Sequence, residues 1–172
     1  MQGRQVDEAF LTVSYTLDLP FRYAAGPLLS RFYWELRENG RLVANRCPRC
    51  GRLLFPPLVV CGRCHVRATE EFVELSSKGT VLDYTVVLQP IQDPTTGKMR
   101  EEKYPHATIL LDDGVSFTHR LAETDIAKLR VGMRVEAVFR PKEERQGHMT
   151  DIIYFRTIEE SGKEGGRPWM RA

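Results

Sequence analysis

All four cysteines of the 172-residue chain fall in two Cys-x-x-Cys pairs, Cys47-Pro48-Arg49-Cys50 and Cys61-Gly62-Arg63-Cys64, with ten residues between the pairs. Two intervening residues let a chain fold back so that both thiolates of a pair reach one ion. Two such knuckles complete a tetrahedral shell of four sulfurs. The spacing therefore predicts a zinc ribbon with one structural Zn2+ held by Cys47, Cys50, Cys61 and Cys64. Gly51 and Gly62 are expected to supply the backbone freedom that turns amide N–H groups toward sulfur, and His65, beside Cys64, could replace a ligand but with four cysteines present is read as a bystander or a group behind the ligands. Disulfides would need a secretory context, but residues 1–8 carry charges and lack an apolar signal core. A dithiol redox centre would need a βαβ pattern beside one pair, and neither pair has it. Iron in a rubredoxin-like shell uses the same ligands and stays open.

A shell closed by four cysteines leaves no position for water or substrate, so such a metal holds a fold and activates no nucleophile. Nothing else in the chain replaces it as a catalytic set. There is no Gly-x-Ser-x-Gly elbow, no phosphate loop and no dinucleotide fingerprint. His106 and His119 fall in predicted strands and His148 in a polar loop, while Asp112-Asp113 precedes Gly114 as turn residues do. The sequence points away from an autonomous enzyme.

The elements that must position the cysteines are mainly β. Residues 41–77 read as the ribbon, too short to bury a self-sufficient core. Ser76-Ser77-Lys78-Gly79 reads as a polar hinge, and five strands follow over residues 80–89, 106–112, 115–121, 134–139 and 152–158. A short helix over 124–130, capped by Thr124 or Glu123 and stopped by Gly132, separates the third strand from the fourth. That layout predicts a C-terminal OB-fold barrel over residues 78–158. The long loop between Pro90 and Pro105 carries Lys98, Arg100 and Lys103, and it is either a ligand-binding loop or a solvated hairpin.

Before the ribbon, residues 1–40 form an extension. Leu11, Val13, Tyr15 and Leu17 alternate with polar residues as in a half-buried strand, and Leu29, Phe32, Tyr33 and Leu36 recur at helical spacing between Gly26-Pro27 and Asn39-Gly40. The aromatic load of this arm, with Phe32, Tyr33 and Trp34 foremost, is expected to face a partner or to pack across its own domains. Residues 159–172 read as a flexible tail, with Trp169 as a candidate anchor in a partner's groove.

The composition, 42% hydrophobic and 28% charged with a net charge of +2, is that of a globular chain. No apolar run approaches the ~20 residues of a membrane span, so no membrane partner is expected and the location is expected to be cytoplasmic. Six arginines (41, 46, 49, 52, 63 and 67) and no acid lie between residues 41 and 67. They either offset thiolate charge or meet an anionic partner.

The order of a helix, Cys47-Pro-Arg-Cys50-Gly51, Phe55-Pro56-Pro57, Cys61-Gly-Arg-Cys64 and Gly79-Thr-Val-Leu-Asp-Tyr84 resembles the zinc-ribbon and OB-fold proteins that accompany acyl-CoA enzymes. The resemblance runs from Pro27 to about Ile158 and includes Gly114-Val115 and Val131-Gly132-Met133-Arg134-Val135. It implies a non-catalytic zinc subunit of a hetero-oligomer with a thiolase-like catalytic subunit, a hydroxymethylglutaryl-CoA synthase or a MaoC-like hydratase. Such a subunit would organise the partner's active site and help to enclose a CoA thioester. The N-terminal arm is similar to that of the zinc subunits of benzoylsuccinyl-CoA thiolases, which implies aryl-succinyl-CoA degradation. Outside that resemblance, an arginine-rich ribbon joined to an OB-fold also suits a nucleic-acid-binding module, although only Tyr84 offers an obvious stacking surface on the first barrel strands.

Overall fold

A computed structural model describes residues 24–88, 90–92, 97–100 and 103–159, so the predicted strand around Leu11–Leu17 and the tail with Trp169 lie outside the described residues. Helix α1 spans Gly26–Asn39, with Pro27 in its first turn, where a missing N–H costs nothing. Gly40 ends it at φ 60°, a left-handed position that returns the amide N–H to Glu35 and Leu36 carbonyls. The ribbon strands β1 (Leu42–Arg46), β2 (Leu53–Leu54) and β3 (Phe72–Leu75) form an antiparallel sheet in the order β2-β1-β3.

The second sheet comprises β4 (Lys78–Val87), β7 (Tyr104–Leu111), β8 (Ser116–Arg120), β9 (Arg134–Phe139) and β10 (Ile152–Thr157). Its order is β10-β9-β4-β7-β8, and a parallel bridge between Leu121 and Phe155 brings its two ends together. This is the five-stranded barrel that the sequence predicts, with a register shift between Val81 and Asp83 in β4. Gly79 is needed where β4 meets β7, because a Cβ there would stand 2.5 Å from the Leu110 carbonyl oxygen.

Two expectations change, and of the two readings of the loop before β7 the hairpin is present. The helix foreseen over 124–130 is a single 3-10 turn, Ile126–Lys128, capped by the Asp125 side chain rather than by Thr124 or Glu123. Its segment buries Leu129 alone and leaves Ile126 exposed, so no apolar face exists to hold an α-helix against the barrel. The loop before β7 carries its own hairpin, β5 (Ile91–Gln92) paired with β6 (Met99–Arg100). The polar hinge at Ser76-Ser77 is bound down. The Ser76 N–H donates to Asp113 Oδ2 at 2.6 Å, and the Ser77 carbonyl accepts from Ala137.

Helix, ribbon base and barrel share one core. Phe32 and Leu36 of α1, Leu42 to Ala44 of β1 and the barrel's inward residues form a single buried cluster. Edge-to-face contacts run from Phe32 to Phe55 (5.6 Å), Phe55 to Phe117 (5.2 Å) and Phe117 to Phe155 (5.6 Å), crossing from helix through ribbon to barrel. Phe32 is therefore withdrawn from the partner-facing set, since it is fully buried in the chain's own core. Tyr33 is half-buried beside that core, and Trp34 stays exposed with the Arg31 guanidinium 4.6 Å above its ring.

One acid sits in the helix's buried stripe. Glu35 accepts hydrogen bonds from Asn39 and Arg41 at 2.6 Å each and pairs with Arg31 at 2.8 Å. Arg41 reaches on to Glu74 of β3 at 2.9 Å, so this cluster ties α1 to the ribbon sheet. The described helix is too short to cross a membrane, and no described helix is both long and apolar enough to do so.

Phe32→Ala should cost about 3–5 kcal/mol, whereas Trp34→Ala should leave the melting temperature nearly unchanged. Equal melting of the two variants would contradict this burial. The hydrogen bond from Arg41 holds the Glu35 carboxyl below the usual carboxylate range in the folded state. Its stabilising contribution is then complete above the unfolded value and disappears as pH falls through the folded one. Glu35→Gln should lower stability by about 1–3 kcal/mol at neutral pH, with the gap to the parent closing below about pH 4. A gap that stays constant in denaturant titrations from pH 7 to pH 3 would refute the assignment.

Candidate metal centre and barrel cleft

The four thiols predicted to share a metal do converge. Their sulfurs all lie within 4.8 Å of one another, and Cys50 and Cys61 approach to 3.9 Å. A tetrahedron with metal–sulfur bonds of about 2.3 Å has edges of about 3.8 Å, so the cage has the dimensions of a four-thiolate shell. Cys47 and Cys61 are buried while Cys50 and Cys64 approach the surface. Apart from the cysteines, little apolar matter surrounds the cage. Leu54 and Ala68 are buried with Cys47 and Cys61, and Val66 packs against them.

Ionising all four thiols together would need a cation. The Arg52 backbone amide draws the Cys50 thiol below its ordinary value, whereas the hydrogen-bonded neighbour Cys50 pushes the Cys64 thiol up to about 12. Four ionised thiols cannot coexist at this spacing until a divalent ion compensates them. The donor set therefore fits Zn2+, and it leaves no open ligand position.

Two matching backbone turns build the cage. In the first knuckle the Gly51 N–H donates to the Cys47 carbonyl at 2.9 Å, and in the second the His65 N–H donates to the Cys61 carbonyl at 2.8 Å. Gly51 stands at φ 70° and His65 at φ 54°. His65, not Gly62, is thus the counterpart of Gly51, and its role lies in its backbone, with its side chain exposed. Asn45, fully buried on β1, joins the arms of the cage. Its Nδ2 donates to the Leu58 and Thr69 carbonyls at 2.9 Å each, and its Oδ1 accepts from the Leu58 N–H at 3.1 Å. A lone asparagine in the apolar run Leu42-Val43-Ala44 was the signal for this role.

The barrel offers a second site. A cleft of about 290 Å³ is lined by Tyr104 and His106 of β7, His119 and Arg120 of β8, Arg140 and the residues leading into β10. Burial lowers the basicity of both His106 and His119, which favours their neutral forms. The Arg120 guanidinium lies 5.2 Å above the Tyr104 ring, and Arg140 Nε donates to the Thr150 carbonyl at 3.0 Å. The cleft thus sets two imidazoles beside two guanidiniums, of which Arg140 also lies 3.8 Å from Glu144 Oε2. Lys98 and Lys103 are exposed at the β5–β6 hairpin and just before β7, neither lining the cleft, and Arg100 ends β6. Asp112 and Asp113 are structural. Arg134 grips Asp112 at 2.7 and 3.0 Å and holds its carboxyl below the usual range, while Asp113 caps Ser76. His148 caps the turn Met149–Asp151. Tyr84, the one candidate stacking ring, is half-buried against the core and donates to the Leu129 carbonyl.

Removing the side chain at the strained turn should not harm the cage. His65→Gly should melt at or above the parent temperature and His65→Val should lose about 1–2 kcal/mol, both with one metal per chain by elemental analysis. Metal loss in His65→Gly alone would make the imidazole a ligand.

Residues 34–70 match the family described as "ChsH2, rubredoxin-like zinc ribbon domain", and residues 72–140 match "ChsH2, C-terminal OB-fold domain". The chain is similar to a DUF35 domain-containing scaffold protein of Pyrococcus furiosus, 34% identical over 112 residues that span 65% of this chain and 78% of the relative. It is also similar to a scaffold protein of the same description from Methanocaldococcus jannaschii, 31% identical over 113 residues, 66% of this chain and 77% of the relative. Among solved structures, a chain of the "Ltp2-ChsH2(DUF35) aldolase" aligns with a TM-score of 0.57 and 25% identity, covering 79% of this chain and 98% of that one. A DUF35-family protein of unknown function from Sulfolobus solfataricus shares the fold at a TM-score of 0.50 and 19% identity, over 77% of this chain and 84% of that one. With its four-cysteine ribbon joined to a five-stranded barrel, the chain belongs to the DUF35 family of scaffold proteins.

Proposed function

We propose that the chain is a non-catalytic, zinc-binding subunit of a cytoplasmic acyl-CoA thiolase-type complex, where it organises the partner's active site and helps to enclose the acyl-CoA. The observation that supports an accessory role beside a catalytic partner is the likeness to a chain of a structure described as an Ltp2-ChsH2(DUF35) aldolase, 98% of which is covered; the thiolase-type partner and the acyl-CoA rest on the sequence resemblance. The narrower role in aryl-succinyl-CoA degradation rests on the resemblance of the N-terminal arm to the zinc subunits of benzoylsuccinyl-CoA thiolases.

Cys47, Cys50, Cys61 and Cys64 would hold Zn2+, which would supply a rigid cross-link between the knuckles. Arg120 and Arg140 in the barrel cleft, with Lys98 and Arg100 of the β5–β6 segment and Lys103 just before β7, are the cationic residues that phosphates of a CoA thioester would meet. Trp34 and Trp169 remain candidates for partner contact. A nucleic-acid module is the weaker reading, because the one stacking candidate, Tyr84, is committed to the barrel.

The full chain, affinity-purified from its native host, should bring down an acyl-CoA enzyme in fixed ratio, with one zinc per chain by elemental analysis. Nuclease-sensitive nucleic acid in place of that enzyme would overturn the reading. Cys47→Ser and Cys61→Ser should lose metal, thermal stability and the enzyme together. A complex that survives in the metal-free variants would separate the ribbon from assembly.

A further inference from the structure

Between the two knuckles the chain exposes three consecutive aliphatic residues, Leu58, Val59 and Val60, at 47%, 53% and 48% of their surface. Such a run is unusual on a charged ribbon, and it is held firmly in place. Asn45 grips Leu58 through both its N–H and its carbonyl, Ala68 donates to the Val59 carbonyl at 2.9 Å, and Val60 bridges to Arg67. The backbone is therefore already ordered before anything binds, and valine side chains have little rotamer freedom to lose.

The two knuckles that flank this run carry mostly positive charge, and the acid beside it, Glu70, is paired with Arg67 across from Val60. Arg49, Arg52 and Arg63 are exposed and form no ion pair among the described residues. An apolar centre within an arginine rim complements a surface with an apolar depression and a carboxylate rim. A second copy of this chain would bring arginine against arginine. Nucleic acid would find only the small imidazole of His65 exposed among the described rings of the tip, because Phe55 packs toward Phe32 and Phe117 in the core.

We infer that the ribbon tip formed by Leu58, Val59 and Val60, with Arg49, Arg52 and Arg63 as its rim, is the surface by which this chain docks onto an acidic-rimmed apolar patch of its catalytic subunit. The inference rests on the accessory-subunit reading and adds to it the place of contact.

The test uses the full chain and the acyl-CoA enzyme that co-purifies with it. Val59→Asp, and separately Arg49→Glu with Arg63→Glu, should weaken binding about tenfold or more by calorimetry, with zinc content and melting temperature unchanged. Ile126→Asp, at an equally exposed aliphatic on the barrel, should bind as the parent does. A photo-crosslinking residue at position 59 should label that enzyme next to its own carboxylates. If the enzyme co-purifies but both tip variants bind normally, the docking surface is wrong and the accessory role stands. If position 59 labels nucleic acid or a second copy of the chain, the inference falls. If the parent chain captures no acyl-CoA enzyme, both readings fall.

Discussion

Four thiolates crowded within 4.8 Å repel one another too strongly to persist without a cation, and the ribbon is arranged around that constraint. Its apolar interior amounts to little more than Leu54, Ala68 and the cysteines themselves. Metal binding and folding of the tip are therefore expected to be coupled. The protein's own task is to hold the sulfurs in register, which it does through the paired turns at Gly51 and His65 and through Asn45 across the arms. A left-handed histidine is an uncommon choice for such a turn. The backbone hydrogen bond from its N–H to the Cys61 carbonyl closes the turn without use of the side chain.

Away from the metal, three buried polar groups do for the rest of the chain what zinc would do for the tip. Glu35 ties the helix to the ribbon sheet through Arg41 and Glu74. Asn45 ties the knuckles together. Asp151 accepts from the backbone N–H groups of Gln146, Gly147 and His148, which shapes the loop that lies against α1 near Tyr33. Among the described residues no buried side-chain nitrogen or oxygen lacks a partner. Buried polar groups that are all satisfied set the arrangement of neighbouring elements rather than merely tolerating it.

The cysteine spacing, the helix between Pro27 and Gly40 and the five barrel strands were legible in the sequence, because each rests on local chemistry: ligand geometry, caps and period-2 alternation. What was not legible depends on contacts between distant residues. Phe32 belongs to the same helical stripe whether a partner or the chain's own core covers it, and only the approach of Phe55 and Phe117 decides. Ile126 and Leu129 have helical spacing, yet the barrel buries one and leaves the other outside. The cleft pairs His119 with Ala107 across β7 and β8 and brings in Arg140 from beyond β9, a juxtaposition made by barrel closure and invisible along the chain.

The aromatic run from Phe32 through Phe55 and Phe117 to Phe155 has a consequence for how such a chain can be rebuilt by recombination. The ribbon and the barrel are separate segments of sequence, but a crossover between residues 77 and 78 would divide a single interior and leave half of an aromatic ladder on each parent. Modules exchanged there would inherit mismatched halves. A productive exchange has to carry helix, ribbon and barrel together, so the natural unit of inheritance is the whole stretch from Gly26 to Thr157.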